Sequence, residues 1–298
     1  PAAVWDALRA VCDRVRSADP GRLPTVLLLS AEPHVPWELA YLDPPLDPAR
    51  PPFLGAQVAV SRWILAPHGI PLPPPGAVAV RRMAVVAGNY ASGSELRPLP
   101  LAIAEAAELV REYGATALEA TPSDMRRLLD GAVPGAAGPA GVQAIHFACH
   151  GAVDGDDPKY AGIYLDDEST LSPVVFRSAR VAKSDTPFLF LNACQVGNAG
   201  ELLGEYAGFA GEALRGGFSG FLAPLWSVSD DTARDFALEF YRKAFAATPV
   251  ADILCELRGR YRMNGTGIPR STYLAYVFYG NPNLLLTRSA DASASAAA

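Results

Sequence analysis

The chain has 298 residues, is 50% hydrophobic and 19% charged, and carries a formal net charge of −6. That apolar share supports a sizeable core in one large domain or two ordinary ones, and it excludes a disordered chain. With a pI near 5.3, neither nucleic acid nor an anionic membrane is expected as a partner, and no apolar run reaches the ~18–20 residues that span a bilayer. No basic stretch followed by an apolar run opens the sequence, so no signal peptide is expected. The cysteines stand at 12, 149, 194 and 255. None forms a CxxC pair, which argues against a zinc ribbon, and their number is low for a disulfide scaffold; a reducing, cytoplasmic setting is expected.

Residues 4–16 read as a helix, with Val4, Leu8, Val11 and Val15 on one face. They belong to an N-terminal helical segment, 1–23, that reads as the end of an upstream region. Strands are expected at 25–29 and 58–65, with a Pro-rich loop at 43–52 between them. The prolines of 67–76 predict a stiff, extended linker. Beyond it the pattern alternates. A strand is expected at 80–86, then a helix at 101–113 with Ile103, Ala106, Ala107 and Val110 on one face. A second helix at 123–130 is expected to be capped by Ser123. After a Gly/Pro/Ala loop at 131–141 comes a strand at 142–148 and an acidic loop at 154–159. A strand at 188–193, a helix at 206–215 and a strand at 220–225 follow. Helices at 230–245 and 250–262 and a last strand at 273–279 complete the pattern. The Ala/Ser tail, 289–298, reads as disordered. Strands alternating with helices predict an α/β fold with a mostly parallel sheet.

In such sheets reactive groups gather at the carboxyl ends of the strands. One strand runs into Cys149-His150-Gly151 and another into Asn192-Ala193-Cys194-Gln195. If the two are neighbours, His150 and Cys194 face each other, a thiol beside an imidazole as nucleophilic catalysis requires. An unassisted thiol is only a few per cent thiolate at neutral pH, and the imidazole would take its proton and later protonate the leaving amine. The backbone N–H groups of Gly151 and Cys194 are the candidates to hold an oxyanion. In an extended segment Cys149 points away from the His150 face. His146 shares the His150 face but lies deeper, and is expected to be a hydrogen-bonded core histidine. Cys12 and Cys255 read as small core residues, and His34 and His68 have no ligand spacing.

At these residues the sequence resembles a known family. His146-Phe147-Ala148-Cys149-His150-Gly151 with Leu191-Asn192-Ala193-Cys194-Gln195-Val196-Gly197 resembles the CHAT domain, a caspase-like domain found with TPR repeats in bacteria and related to caspases and separase. Pro36-Trp37-Glu38, the run Pro224-Leu225-Trp226-Ser227-Val228-Ser229-Asp230 and the closing Tyr276-Val277-Phe278-Tyr279-Gly280 are similar to further parts of that family. The likeness extends over roughly 24–287, so 24–288 is expected to be one peptidase domain.

The resemblance implies a caspase-like three-layer α/β/α sandwich. It implies a cysteine endopeptidase with His150 and Cys194 as its dyad, acting on a protein substrate with no cofactor and no metal. In caspase-like folds the loop after the Trp226 strand lines the pocket for the residue before the scissile bond, which nominates Trp226, Ser227 and Asp230. An acid there would select Arg or Lys by charge pairing; the bland alternative is that Asp230 and Asp231 only favour the start of their helix. Asp156 and Asp157 are weaker candidates, and Tyr160 could make the pocket apolar. Family analogy adds an activating partner or upstream sensor domain that positions the segment 195–204, where Gly197, Gly200 and Gly204 permit movement, and a role in bacterial defence or programmed death. Two other readings stand beside this one: a non-cleaving scaffold, and a thiol hydrolase or acyltransferase acting on a small molecule.

Overall fold

This computed structural model describes residues 2–30, 35–65, 73–91, 93–133, 141–152, 162–195, 206–260 and 271–288. Residues 67–72 of the expected linker at 67–76, the acidic loop, most of the segment after Cys194 and the Ala/Ser tail lie outside them, as do His34, His68, Asp156, Asp157 and Tyr160. The strands run β1 (Thr25–Ser30), β2 (Ala59–Ile64), β3 (Ala77–Val80), β4 (Met83–Ala87), β5 (Thr116–Glu119), β6 (Ala144–Ala152), β7 (Gly162–Tyr164), β8 (Thr170–Leu171), β9 (Phe188–Gln195), β10 (Gly220–Pro224), β11 (Tyr276–Gly280) and β12 (Leu285–Arg288). The helices are α1 (Ala2–Ala18), α2 (Leu54–Gln57), α3 (Pro100–Tyr113), α4 (Pro122–Leu129), α5 (Val174–Arg177), α6 (Arg180–Asp185), α7 (Tyr206–Gly216), α8 (Asp230–Ala244), α9 (Val250–Arg258) and α10 (Thr272–Ala275).

The main sheet has the order β1-β2-β11-β10-β9-β6-β4-β5, with β7 and β8 added beside β6. The five strands from β10 to β5 are mutually parallel. β11 is antiparallel to β10, and β2 and β1 follow the direction of β11. β3 and β12 form a separate parallel pair. One face packs on α4, α5, α6 and α7 through Met125, Phe176, Val181 and Phe209. The other packs on α3, α8 and α9 through Leu109, Phe236, Phe240 and Leu254. This is a three-layer α/β/α sandwich, as the resemblance implies, with the mostly parallel sheet that the alternating pattern predicts.

Several local expectations shift for physical reasons. The run 80–86 is divided between two sheets: β3 ends at Val80 and pairs with β12, β4 begins at Met83 in the main sheet, and between them the Gln143 side-chain carbonyl accepts the N–H groups of Arg81 and Arg82. The cap of α4 is Thr121, whose hydroxyl accepts the Asp124 N–H, with Pro122 as the first helical residue; proline suits that position because its missing N–H would be unpaired anyway. In α1 the packed face is Trp5, Leu8 and Cys12, while Val4 is 69% exposed. In α3 Ile103 and Val110 are exposed, and the buried stripe is Glu105, Ala106 and Leu109. A charge thus occupies the inward face of α3, which apolar counting alone rotates outward. Residues 272–275 turn helically before β11 begins.

The Pro-Trp-Glu sequence is explained by burial. Glu38, fully buried, accepts from the Nε of Arg62 at 2.8 Å and from its Nη2, and Arg62 Nη1 donates to the Tyr279 hydroxyl at 3.4 Å. This pair ties the short turn Trp37–Leu39 to β2 and β11. Breaking a buried pair by removing one partner leaves an uncompensated charge, at a cost of about 3–5 kcal/mol. Glu38→Ala is therefore expected to lower unfolding free energy by about that amount in urea titrations; a loss under 1 kcal/mol would place the pair's energy at the level of a surface bridge.

Candidate active site

The chain leaves β4 through α3 to β5 on one side, then returns to β6 on the other side of β4. A reversal of strand order opens a crevice beyond the carboxyl ends of the two strands involved, because their exit loops part in opposite directions. The candidate residues collect at that crevice. β6 and β9 are parallel neighbours, and the register pairs His150 with Cys194. Both residues lie within the paired ladder rather than past it, since Gly151 is in register with Gln195 on one side and with Ile163 of β7 on the other.

Period-two alternation sorts the neighbours of His150. His146 is in the layer of α3 and α8, where Phe190 and Tyr241 edge its ring. Cys149 is on the opposite face among Phe147, Leu191 and Ile163. Its Sγ lies 3.8 Å from the Val86 carbonyl, and burial pushes its thiol far up. Cys12 and Cys255 are also fully buried, and burial lifts the Cys255 thiol to about 11. A high thiol pKa means little thiolate at neutral pH, so none of these three is primed as a nucleophile.

The His150 ring is held by a hydrogen bond and a stacked ring. Its Nε2 lies 2.7 Å from the Arg97 carbonyl. A carbonyl only accepts, so Nε2 carries a hydrogen and Nδ1 is the bare nitrogen of the neutral ring. Nδ1 is buried with no hydrogen-bond partner among the described residues. Tyr90 stacks on the ring, 4.8 Å between centroids. Its hydroxyl accepts the His150 N–H at 2.8 Å and donates to the Tyr164 carbonyl at 3.0 Å. The loop 88–99 that supplies Tyr90 and Arg97 is anchored by a small apolar cluster of Tyr90, Leu96 and Leu99 and by the Asn89 N–H to Asp166 at 2.7 Å. Gly88 allows it to fold back: a side chain there would collide with the Tyr90 ring.

A cavity of about 160 Å³ opens beside His150, lined by Arg97, Pro98, Leu99, Ser227, Val228 and Asp230. Ser227 and Asp230 thus reach the neighbourhood of His150 from the segment between β10 and α8. Trp226 does not line this cavity; it is half-buried against both core layers. Asp230 and Asp231 form the first turn of α8, where negative charge complements the helix dipole. Sequence reasoning missed Tyr90, the Arg97 carbonyl, Glu105 and Asn192. A backbone carbonyl leaves no residue-type signature, and Tyr90 lies in a loop without periodicity. The one available signal was Glu105, a charge in register with Ala102, Ala106 and Leu109.

Burial lowers the His150 pKa from its ordinary 6.5, opposed by the Arg97 carbonyl and the Asp230 charge. The ring is therefore neutral at neutral pH and able to accept a proton at Nδ1. A native pKa below the unfolded one means that the folded chain binds fewer protons in acid. The stability linked to His150 is complete above the unfolded value and is lost as pH falls through about 6.5 and below. In urea titrations across that range, His150→Gln is expected to lose stability less steeply on acidification than the parent; parallel slopes would show that His150 is not desolvated.

A search of curated protein sequences finds no match. Among solved structures, the complex of Porphyromonas gingivalis RgpB pro- and mature domains is similar over 94% of this chain and 69% of that one, with TM-score 0.55 and 13% identity. The crystal structure of the Arg-specific cysteine proteinase gingipain R is similar over 94% and 68%, with TM-score 0.51 and 13% identity. The Drosophila initiator caspase Dronc is similar over 75% and 95%, at TM-score 0.42 and 10% identity. The fold is thus shared with the two gingipain structures. The CHAT domain pattern matches residues 10–270, most of the sequence, and the chain belongs to that family.

Proposed function

We propose that this protein is a cysteine endopeptidase in which Cys194 is the nucleophile and His150 the general base and acid. The observation that carries this reading is the state of His150. Its ring is fixed by a carbonyl on Nε2, its Nδ1 has no hydrogen-bond partner among the described residues, and it is in register with a cysteine on the next parallel strand. In this mechanism Nδ1 takes the Cys194 proton as sulfur attacks the scissile carbonyl carbon. The imidazolium then returns the proton to the departing amine, and water, activated by the same nitrogen, cleaves the thioester. The Arg97 carbonyl stabilises the imidazolium formed between these steps.

The amides of Gly151 and Cys194 are the oxyanion donors in this reading. They sit in the last rungs of the β6·β9 ladder, so binding a substrate oxygen requires those rungs to open. That requirement supports control by an activating partner or an upstream segment, with Gly197, Gly200 and Gly204 in the adjoining sequence as pivots. Such a switch suits a cytoplasmic bacterial protease of defence or programmed death.

The pocket preference follows from Asp230 beside His150. We assign it to selection of Arg or Lys before the scissile bond, with Ser227 on the same wall and Trp226 as its support. The exposed position of Asp230 at the cavity mouth is the supporting observation. Cleavage of a diverse peptide library is expected to vanish in Cys194→Ala. Asp230→Ala is expected to lower cleavage after basic residues by about 10- to 100-fold, the worth of a charge-assisted hydrogen bond. Cleavage that survives Cys194→Ala would remove the nucleophile assignment, and an unchanged preference in Asp230→Ala would remove the pocket assignment.

A further inference from the structure

Beneath the dyad lies a buried polar cluster that the mechanism above does not use. Glu105 of α3 is 2% exposed. Its Oε1 accepts from His146 Nε2 at 2.6 Å and from Asn192 Nδ2 at 2.9 Å, and its Oε2 accepts from Asn192 Nδ2 at 3.1 Å. Asn192 also donates to the Ala233 carbonyl of α8 at 3.3 Å and accepts from the Tyr276 hydroxyl of β11 at 2.6 Å. His146 Nδ1 lies 3.3 Å from the Tyr241 hydroxyl of α8. A void of about 20 Å³, bounded by Glu105, Ala148, Asn192 and Asp230, separates this cluster from the cavity beside His150.

The placement within the strands is what matters. His146 is four residues before His150 on β6, and Asn192 is two residues before Cys194 on β9. α3, which carries Glu105, begins three residues after Arg97, whose carbonyl orients His150. One carboxylate therefore ties together the three segments that must be aligned for the dyad to work. A buried carboxylate is costly unless hydrogen-bonded, so the cluster is satisfied in one arrangement and penalises others. A core position of this kind would be filled more cheaply by an apolar residue.

We propose that Glu105 is a positioning residue: through Asn192 and His146 it sets β9, β6 and the start of α3 in the alignment that brings the Arg97 carbonyl, His150 and Cys194 into register. This rests on the dyad reading, and its test separates the two. In Glu105→Gln only one oxygen is left to accept, so the bond from Asn192 Nδ2 to Oε2 becomes a donor–donor contact and the clasp is weakened. Two quantities are measured on the full chain: kcat and KM on the best library peptide, and the pH dependence of Cys194 carbamidomethylation by iodoacetamide, read by mass spectrometry of the modified peptide. The expected result for Glu105→Gln is a fall in kcat of about 10- to 100-fold, the scale of a small misplacement, with KM changed less than threefold. The alkylation midpoint moves up toward that of an ordinary thiol, about 8.5. The double variant E105Q/N192D, which restores a donor–acceptor match between the two side chains, recovers part of both. Phe176→Leu, in the opposite core layer, serves as the control: a variant that is merely less stable keeps the parental alkylation midpoint.

A folded Glu105→Gln variant with parental kcat and alkylation midpoint would overturn the proposal. So would a variant whose losses match those of Phe176→Leu. If the parent chain alkylates Cys194 with the midpoint of an ordinary thiol, there is no dyad and both readings fall. If no peptide is cleaved but the parental midpoint is depressed and Glu105→Gln raises it, the positioning role stands and only the substrate assignment falls.

Discussion

The candidate site depends on one constraint, the parallel pairing of β6 with β9. Side chains alternate along a strand with period two, so a slip of one residue in this pairing would exchange the faces of every partner. With the observed register, His150 is beside Cys194 and His146 is beside Phe190. Cys149, next to His150 in sequence, faces the opposite core layer, where burial keeps it a thiol. Two adjacent residues, both buried, thus face different sides of the sheet: Cys149 lies among apolar side chains, while His150 lines a cavity.

That pairing sits next to a change in strand order. β5 and β6 flank β4 on opposite sides; α3, which follows β4, packs on one face of the sheet, while α5 and α6, between β6 and β9, pack on the other. The carbonyl of Arg97 and the ring of Tyr90 enter the crevice from the loop 88–99. A carbonyl on Nε2 settles where the ring hydrogen resides and leaves Nδ1 bare, while burial keeps the ring neutral. Geometry and protonation state are set by the same contacts.

Two buried charge clusters brace the sheet at different places. Glu38 with Arg62 secures β2, β11 and the turn that carries the Pro-Trp-Glu sequence. Glu105 with His146 and Asn192 secures α3, β6 and β9 below the dyad. Both exploit the high cost of an unpaired buried charge, which makes each arrangement specific rather than merely stable. The first lies among the strands that run opposite to the five-strand parallel block, and the second lies within that block.

Much of this was legible in the residues themselves. Alternating strand and helix periods announced the α/β class. The motif around His150 and Cys194 located both candidates, and the period-two argument separated Cys149 from them. Helix faces were harder. In α1 the 3.6-residue period admits two overlapping stripes, and the larger Trp5 takes the inward place. In α3 the inward stripe contains a carboxylate, which hydrophobic counting assigns to solvent. Sequence by itself determined the class of fold and nominated His150 and Cys194 as candidates, because local period and residue type are properties of the chain alone. Only the tertiary structure decided which nitrogen of His150 is bare and which carboxylate lies beneath it. Those depend on backbone carbonyls and on neighbours drawn together from distant strands, and neither leaves a mark in local sequence.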